Sequence, residues 1–325
     1  MKAALDLDWG TKTAKSEALG QIVEELGRWT GWLEKQVELS LEEGPLKEAM
    51  DTVEEILEQD TEPNPEGEGR IVKKGVAKDR RISIEDSEMR HGRKSKSKRV
   101  DGYKQHFLGD LDSQVIREVV VRPANEPEQE AIDYFEQELE GGEGLAELAI
   151  DLGYAGHEKI AQWEEEGVKV VARPWRQINN KGHFTKEEFD LDFEKGTVGC
   201  PAGEEMPLVL GKVTEFPPEK CKGCELRDQC TSAKEDRGRS IRIREDEELQ
   251  AARRERMKTP EGRAQLRNRV MIEHRIAHHV ARQGRKARYI GTRKNQFDGR
   301  RHAAVNNLFL AARYFEQAEA TRMAA

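Results

Sequence analysis

Between residues 145 and 172 the chain runs a short apolar stretch, a helical stretch and a second apolar stretch, and this unit constrains the fold more than any other. Residues 145–151 read as a strand ending just before the Gly153 turn, 155–166 as a helix and 168–172 as a strand. Two strands joined through a helix pair in parallel, because a tight turn can only return the chain antiparallel. The expectation is an α/β fold, a mixed sheet flanked by helices. Asp151 then sits at the tip of a buried strand.

The flanking sequence fills in the frame. Residues 102–108 and 115–122 are strand-like, and Gly109-Asp110-Leu111-Asp112 supplies a turn, so a hairpin is expected, followed by a helix over 126–139. Residues 14–38 and 45–59 place apolar side chains at helical spacing. These two helices are expected to pack on each other, with Trp29 and Trp32 as core or interface anchors. The Pro- and Gly-bearing stretch 60–69 reads as a linker, 176–240 as irregular, and 245–283 and 303–315 as helices. The expected division is a helical segment and linker (1–69), the first part of the core (70–175), a cysteine-rich insert (176–244) and a helical part of the core (245–325).

Net charge is −8, which by itself disfavours a polyanionic partner, but the charge is unevenly spread. Acids crowd residues 41–68, 126–147 and 245–248, whereas bases crowd 73–104 and 251–301, and residues 90–99 contain no acid. A polarised chain can hold nucleic acid on a basic face. The candidate contacts are Arg93, Lys94, Lys96, Lys98, Arg99 and Lys104 in the first region, and Arg269, Arg285, Lys286, Arg288 and Lys294 in the second. A solvated basic loop at 90–99 is the alternative. No apolar run approaches the roughly 18–20 residues that span a bilayer, and the first residues lack a signal-peptide pattern. A cytoplasmic location without membrane association is the expectation.

The four cysteines are Cys200, Cys221, Cys224 and Cys230. A cytoplasmic compartment keeps thiols reduced, and a Cys-x-x-Cys pair with two outliers can close a tetrahedral site. Structural Zn2+ is expected there, with four metal-free thiols as the alternative. His274 and His278 are one helical turn apart, but Arg275 stands where a zinc hydrolase needs Glu. Glu273 lies in a helix dense in cations, with Arg269 one turn before it on the same face. A strand-tip and a helical carboxylate that meet could bind divalent metal for phosphoryl transfer.

These residues also carry a resemblance. Arg81-Ile-Ser-Ile-Glu-Asp-Ser-Glu-Met-Arg-His-Gly-Arg-Lys-Ser, Val100-Asp-Gly-Tyr-Lys-Gln-His, Ile150-Asp-Leu-Gly-Tyr154, the cysteine segment 200–230, Arg269-Val-Met-Ile-Glu273 and Gly284–Asn295 occur in the order seen in DDE transposases of bacterial insertion sequences. The chain resembles the subgroup with a four-cysteine insert before the last catalytic helix. The resemblance implies an RNase H-like core in which three carboxylates bind two Mg2+ or Mn2+ ions about 4 Å apart. Asp151 matches the second acid and Glu273 the third, while Leu266 replaces a tyrosine often found three residues before the arginine. No motif matches the first acid. Asp6 and Asp8 are the only early acids on a strand-like run, so the chain looks N-terminally truncated. The resemblance further implies DNA as partner, both insertion-sequence ends and target, and a homodimer. Three readings follow: a transposase C-terminal portion that cleaves and joins DNA, a catalytically inactive DNA-binding remnant, and a zinc-ordered interaction protein with no DNA role.

Overall fold

The computed structural model describes residues 11–36, 44–67, 69–94, 97–140, 144–177 and 181–324. Asp6, Asp8 and Lys96 lie outside the described residues. The chain opens with helices α1 (Lys12–Leu33) and α2 (Pro45–Asp60), then strands β1 (Thr61–Pro63) and β2 (Arg70–Val72). Strands β3 (Arg90–Arg93), β4 (Arg99–Gly109) and β5 (Ile116–Pro123) form one sheet in that order. Helix α3 (Ala131–Glu140), β6 (Glu147–Ala149), α4 (Glu158–Glu165) and β7 (Lys169–Val171) follow. The insert holds β8 (Asp190–Asp192), β9 (Thr197–Gly199), β10 (Glu205–Pro207), β11 (Val213–Glu215), α5 (Pro218–Lys222), α6 (Arg227–Cys230) and β12 (Ser240–Arg242). Helices α7 (Glu247–Lys258), α8 (Pro260–Gln283) and α9 (Thr292–Ala324) end the chain. The architecture is mixed α/β, and β6 pairs in parallel with β7, as the strand–helix–strand reading requires.

These elements form two compact units, each assembled from discontinuous segments. The first comprises the chain up to residue 107, then 118–126 and 279–325. In it α1 packs on β2 and α2 on β1, so the helices find the hairpin as neighbour rather than serving mainly as each other's cover. Among the described residues of α1, only Ala14 and Ala18 are buried. That narrow face leaves Trp29 and Trp32 59% and 52% exposed, meeting edge to face with ring centres 6.2 Å apart, so of the two expected places, core or interface, the core is excluded. The expected linker at 60–69 is a hairpin with Thr61 opposite Val72. Pro and Gly there supply turn chemistry between two short strands.

The basic stretch 90–99 is likewise a hairpin, with Arg90 opposite Gly102 and Arg93 opposite Arg99. It sits so close to the residue after β5 that a Cβ on Gly92 would lie 1.9 Å from the Ala124 carbonyl oxygen. Val119, Val120 and Val121 are all buried, so both faces of β5 are covered. Helix α9 lies against it: Arg300 grips Glu118 through two bonds of 2.7 and 2.8 Å.

The second unit comprises residues 108–117 and 127–278. Ile132, Leu148, Ile150, Ile160, Trp163 and Val170 form its principal core around the parallel pair. A separate core of Phe189, Val198, Phe216, Ile241 and Ile243 fills the insert. The expectation of an irregular segment is therefore corrected: β8, β9 and β10 form one sheet and β11 pairs with β12. The aromatic and β-branched residues that build this core are spread thinly, which hides them from a periodicity search. Helix α7 docks through Arg253, which reaches both oxygens of Glu164 at 3.1 Å, and Arg256, which donates to the Val170 carbonyl at 3.1 Å.

Candidate active site and cysteine centre

Strand β6 ends at Ala149, Ile150 still donates its N–H to the Val171 carbonyl at 3.0 Å, and Asp151 is the first residue free of the sheet. The Tyr154 N–H closes a turn onto the Asp151 carbonyl at 3.0 Å. Sheet and turn thus fix the Asp151 backbone while its side chain stays 65% exposed. On α8, Ile272 packs over the end of β4, where a Cβ on Gly109 would lie 2.7 Å from Ile272 Cδ1. That close approach seats the turn of α8 carrying Glu273.

Arg269 joins the two acids. Its Nη2 donates to Asp151 Oδ1 and lies 3.5 Å from Glu273 Oε1, while Nη1 donates to the Ile150 carbonyl at 3.2 Å. The guanidinium is only 16% exposed, against 63% for Glu273, so a shielded cation holds two solvent-facing carboxylates. Two like charges brought together repel, and the arginine between them offsets that cost. Glu128, just before α3, stands against the same turn, where a Cβ on Gly153 would lie 2.1 Å from its Oε2. Sequence reasoning passed over Glu128 because it sits in an acid-rich helix start, the usual place for a solvated carboxylate. Among the described residues, no group of three or more His, Cys, Asp or Glu is placed to hold one metal ion.

The candidate DNA contacts fall into three situations. Arg93, Lys94, Lys98 and Arg99 are exposed on the β3–β4 hairpin, and Arg285, Lys286, Arg288 and Lys294 are exposed between α8 and the first turn of α9. Arg269 is committed to the acids. Lys104 turns to the protein, donating to the Glu126 carbonyl at 3.0 Å. Asn295, buried, clamps the second basic segment by donating to the carbonyls of Tyr289 at 2.6 Å and Gly291 at 2.8 Å.

All four cysteines line one cavity of the insert, between β9, α5 and α6. Cys200, Cys221 and Cys230 pack against the insert's apolar core. Backbone N–H groups address two of the sulfurs, Glu204 to Cys200 Sγ at 3.3 Å and Arg239 to Cys221 Sγ at 3.5 Å. Burial raises the Cys230 thiol above its ordinary value, with Arg239 opposing. His274 and His278 join no metal-holding group among the described residues. His279 is fully buried, and its Nε2 bonds Gln283 Oε1 at 2.8 Å.

Residues 199–309 match the model of the family Transposase DDE domain. The match takes in the four cysteines, Arg269, Glu273 and the basic segment 285–294, and begins after Asp151. Over this third of its length the chain is similar to a DDE transposase domain. No curated protein and no solved structure matches it. No helix among the described residues is long and apolar enough to cross a membrane.

Proposed function

We propose that this chain is the strand-cleaving and strand-joining portion of a transposase of the bacterial insertion-sequence kind, with Asp151 and Glu273 as two of its metal-binding acids. The observation that carries the reading is the contact of Arg269 with both carboxylates, which brings residues 122 positions apart to one side chain. Mg2+ is commonly held by one or two carboxylates and keeps several waters, so two exposed acids fit Mg2+ or Mn2+. Such an ion, when bound, acts as a Lewis acid on a phosphoryl oxygen. The chain's own part is positional. The β6 terminus and Arg269 hold Asp151, Gly109 and Ile272 seat the Glu273 turn, and the exposed cations of the hairpin and of residues 285–294 hold DNA phosphates. A homodimer working on element ends and target in the cytoplasm belongs to the same reading, with the cysteine centre as a structural metal site.

A second reading, a DNA-binding remnant without catalysis, is favoured by one observation: the described residues gather no third acid with these two. Nicking and strand-joining assays with Mg2+ and Mn2+ on DNA bearing the element ends separate the two. The expected result is metal-dependent cleavage that Glu273→Gln abolishes while DNA affinity stays near that of the unaltered protein. Cleavage surviving Glu273→Gln removes this residue from the mechanism. Salt-sensitive binding without any cleavage establishes the remnant.

A further inference from the structure

The cavity beside the insert's core has a volume of about 530 Å³, and every cysteine of the chain lines it. A lone zinc ion needs no such space. Zn–S bonds of about 2.3 Å draw four thiolates to within roughly 4 Å of one another. Among the described residues the cysteines are not gathered around one ion position. An iron–sulfur cluster makes the opposite demand, because its four thiolates bind a cage of irons and sulfides and stand around a space that the cage fills.

The order of the ligands agrees. Cys221, Cys224 and Cys230 come from one short stretch, α5 through α6, and Cys200 is delivered from the end of β9. A zinc knuckle pair would bring two Cys-x-x-Cys units, and here there is one. The lining chemistry agrees as well. Lys220, Arg227 and Arg239 border the cavity, and Arg227 Nη1 and Arg239 Nε are buried N–H groups without an acceptor among the described residues. Thiolates and sulfides are acceptors for such donors, and hydrogen bonds to cluster sulfurs set cluster stability and potential. The N–H groups of Glu204 and Arg239 aimed at Cys200 and Cys221 are of the same kind. Phe184, Phe216 and Leu226 supply an apolar wall.

We propose that Cys200, Cys221, Cys224 and Cys230 bind an iron–sulfur cluster, in place of a single zinc ion, as a staple between β9 and the α5–α6 stretch. The proposal goes beyond the DNA reading and does not depend on it. The test is metal and acid-labile sulfide analysis of the full chain purified without oxygen from iron-replete cells. Expected are iron and sulfide in equal amounts, about two or four of each per chain, with a visible absorption that dithionite bleaches. Cys224→Ser should lose iron and sulfide together, while Glu273→Gln keeps both, which separates this centre from the phosphoryl-transfer site. Protein isolated without metal is offered ferrous iron and sulfide in competition with one equivalent of zinc, and cluster assembly supports the proposal. Stoichiometric zinc without sulfide, by either route, overturns it, as does a chain that takes up no metal at all.

Discussion

The carboxylate of Asp86 accepts the backbone N–H of Gly291 at 3.0 Å, joining two points 205 residues apart. The same buried carboxylate accepts the Tyr103 hydroxyl at 2.7 Å and the Glu88 N–H at 3.1 Å. Glu88 in turn accepts the Thr292 N–H at 3.0 Å, placing a negative charge at the start of α9, where the helix dipole favours one. One acidic junction therefore anchors both basic segments. The hairpin begins just after Glu88 and the second segment ends just after Thr292.

Burial alone would raise Asp86, but the donors Gly291, Tyr103, Glu88 and Met89 outweigh it and hold the carboxyl below its ordinary value. A depressed folded-state pKa gives stability that is present above the unfolded value of about 3.9 and is lost as pH falls through the folded one. Asp86→Asn is expected to cost about 1–3 kcal/mol at pH 7. Thermal melts across pH should show the gap between variant and parent closing below about pH 4. A gap that stays constant into acid would refute a role for the charge.

Charge reversal on the hairpin reads out its phosphate contacts. Lys94→Glu with Lys98→Glu should weaken DNA binding, and each lost contact should lower the slope of log affinity against log salt by about 0.9. Fluorescence anisotropy over a salt series measures both quantities. An unchanged slope would show the hairpin to be a solvated surface.

Arg269→Gln removes the cation between Asp151 and Glu273 while leaving a polar side chain. Loss of positioning of about 1 Å costs on the order of a hundredfold in rate, so cleavage should fall about 10–100-fold. Half-saturating DNA concentration should hardly move, because the exposed cations that hold phosphate are elsewhere. A variant with equal losses in affinity and rate would make Arg269 a phosphate ligand instead.

His106 is buried in β4, and burial pushes it down to about 4, with Lys104 adding to the shift and Glu126 opposing it. Because the folded state holds the ring neutral, its stability is fully present above the unfolded value of about 6.5 and falls as pH drops from there toward 4. The linked loss is on the order of 3 kcal/mol. His106→Gln should lower the melting temperature at pH 7 yet flatten its decline between pH 6.5 and 4.5. Calorimetry at matched ionic strength gives both numbers.

Gly92→Ala tests the packing of the hairpin against the chain after β5. The added methyl would meet a backbone carbonyl at 1.9 Å, and backbone cannot rotate away as a side chain can. A loss of about 2–4 kcal/mol is expected, with the strained backbone as cause. Chemical denaturation at fixed pH measures it.

What the sequence disclosed follows the reach of its signals. The parallel pair around Asp151 was legible because two apolar runs bracket a helix, and the β4–β5 hairpin because its turn residues are distinctive. Arg269 and Glu273 share a helix face by spacing alone, but their convergence on Asp151 needs the tertiary fold. The basic hairpin read as a loop since arginine and lysine mask strand propensity when one face is solvated. Lys104 reads as one more cation of a basic stretch, and its bond to the Glu126 carbonyl has no trace in the sequence. The Asp86 junction left no local trace, because its donors arrive from β4 and from the start of α9.

The insert leaves the rest of its unit after Trp175 and rejoins it at α7, and the Trp175 N–H donates to the Gln250 side chain at 2.9 Å. The two stems are therefore held side by side. Closing a loop costs only about 0.6 kcal/mol more for each doubling of its length, so residues between the stems can be gained or lost with little effect on foldability. Helix α7 grips the parallel unit through Arg253 and Arg256, alongside the ion pair of its buried Glu247 with Lys186 of the insert. Natural variation in length should thus concentrate between Trp175 and Gln250, leaving the span from Arg256 to Glu273 constant.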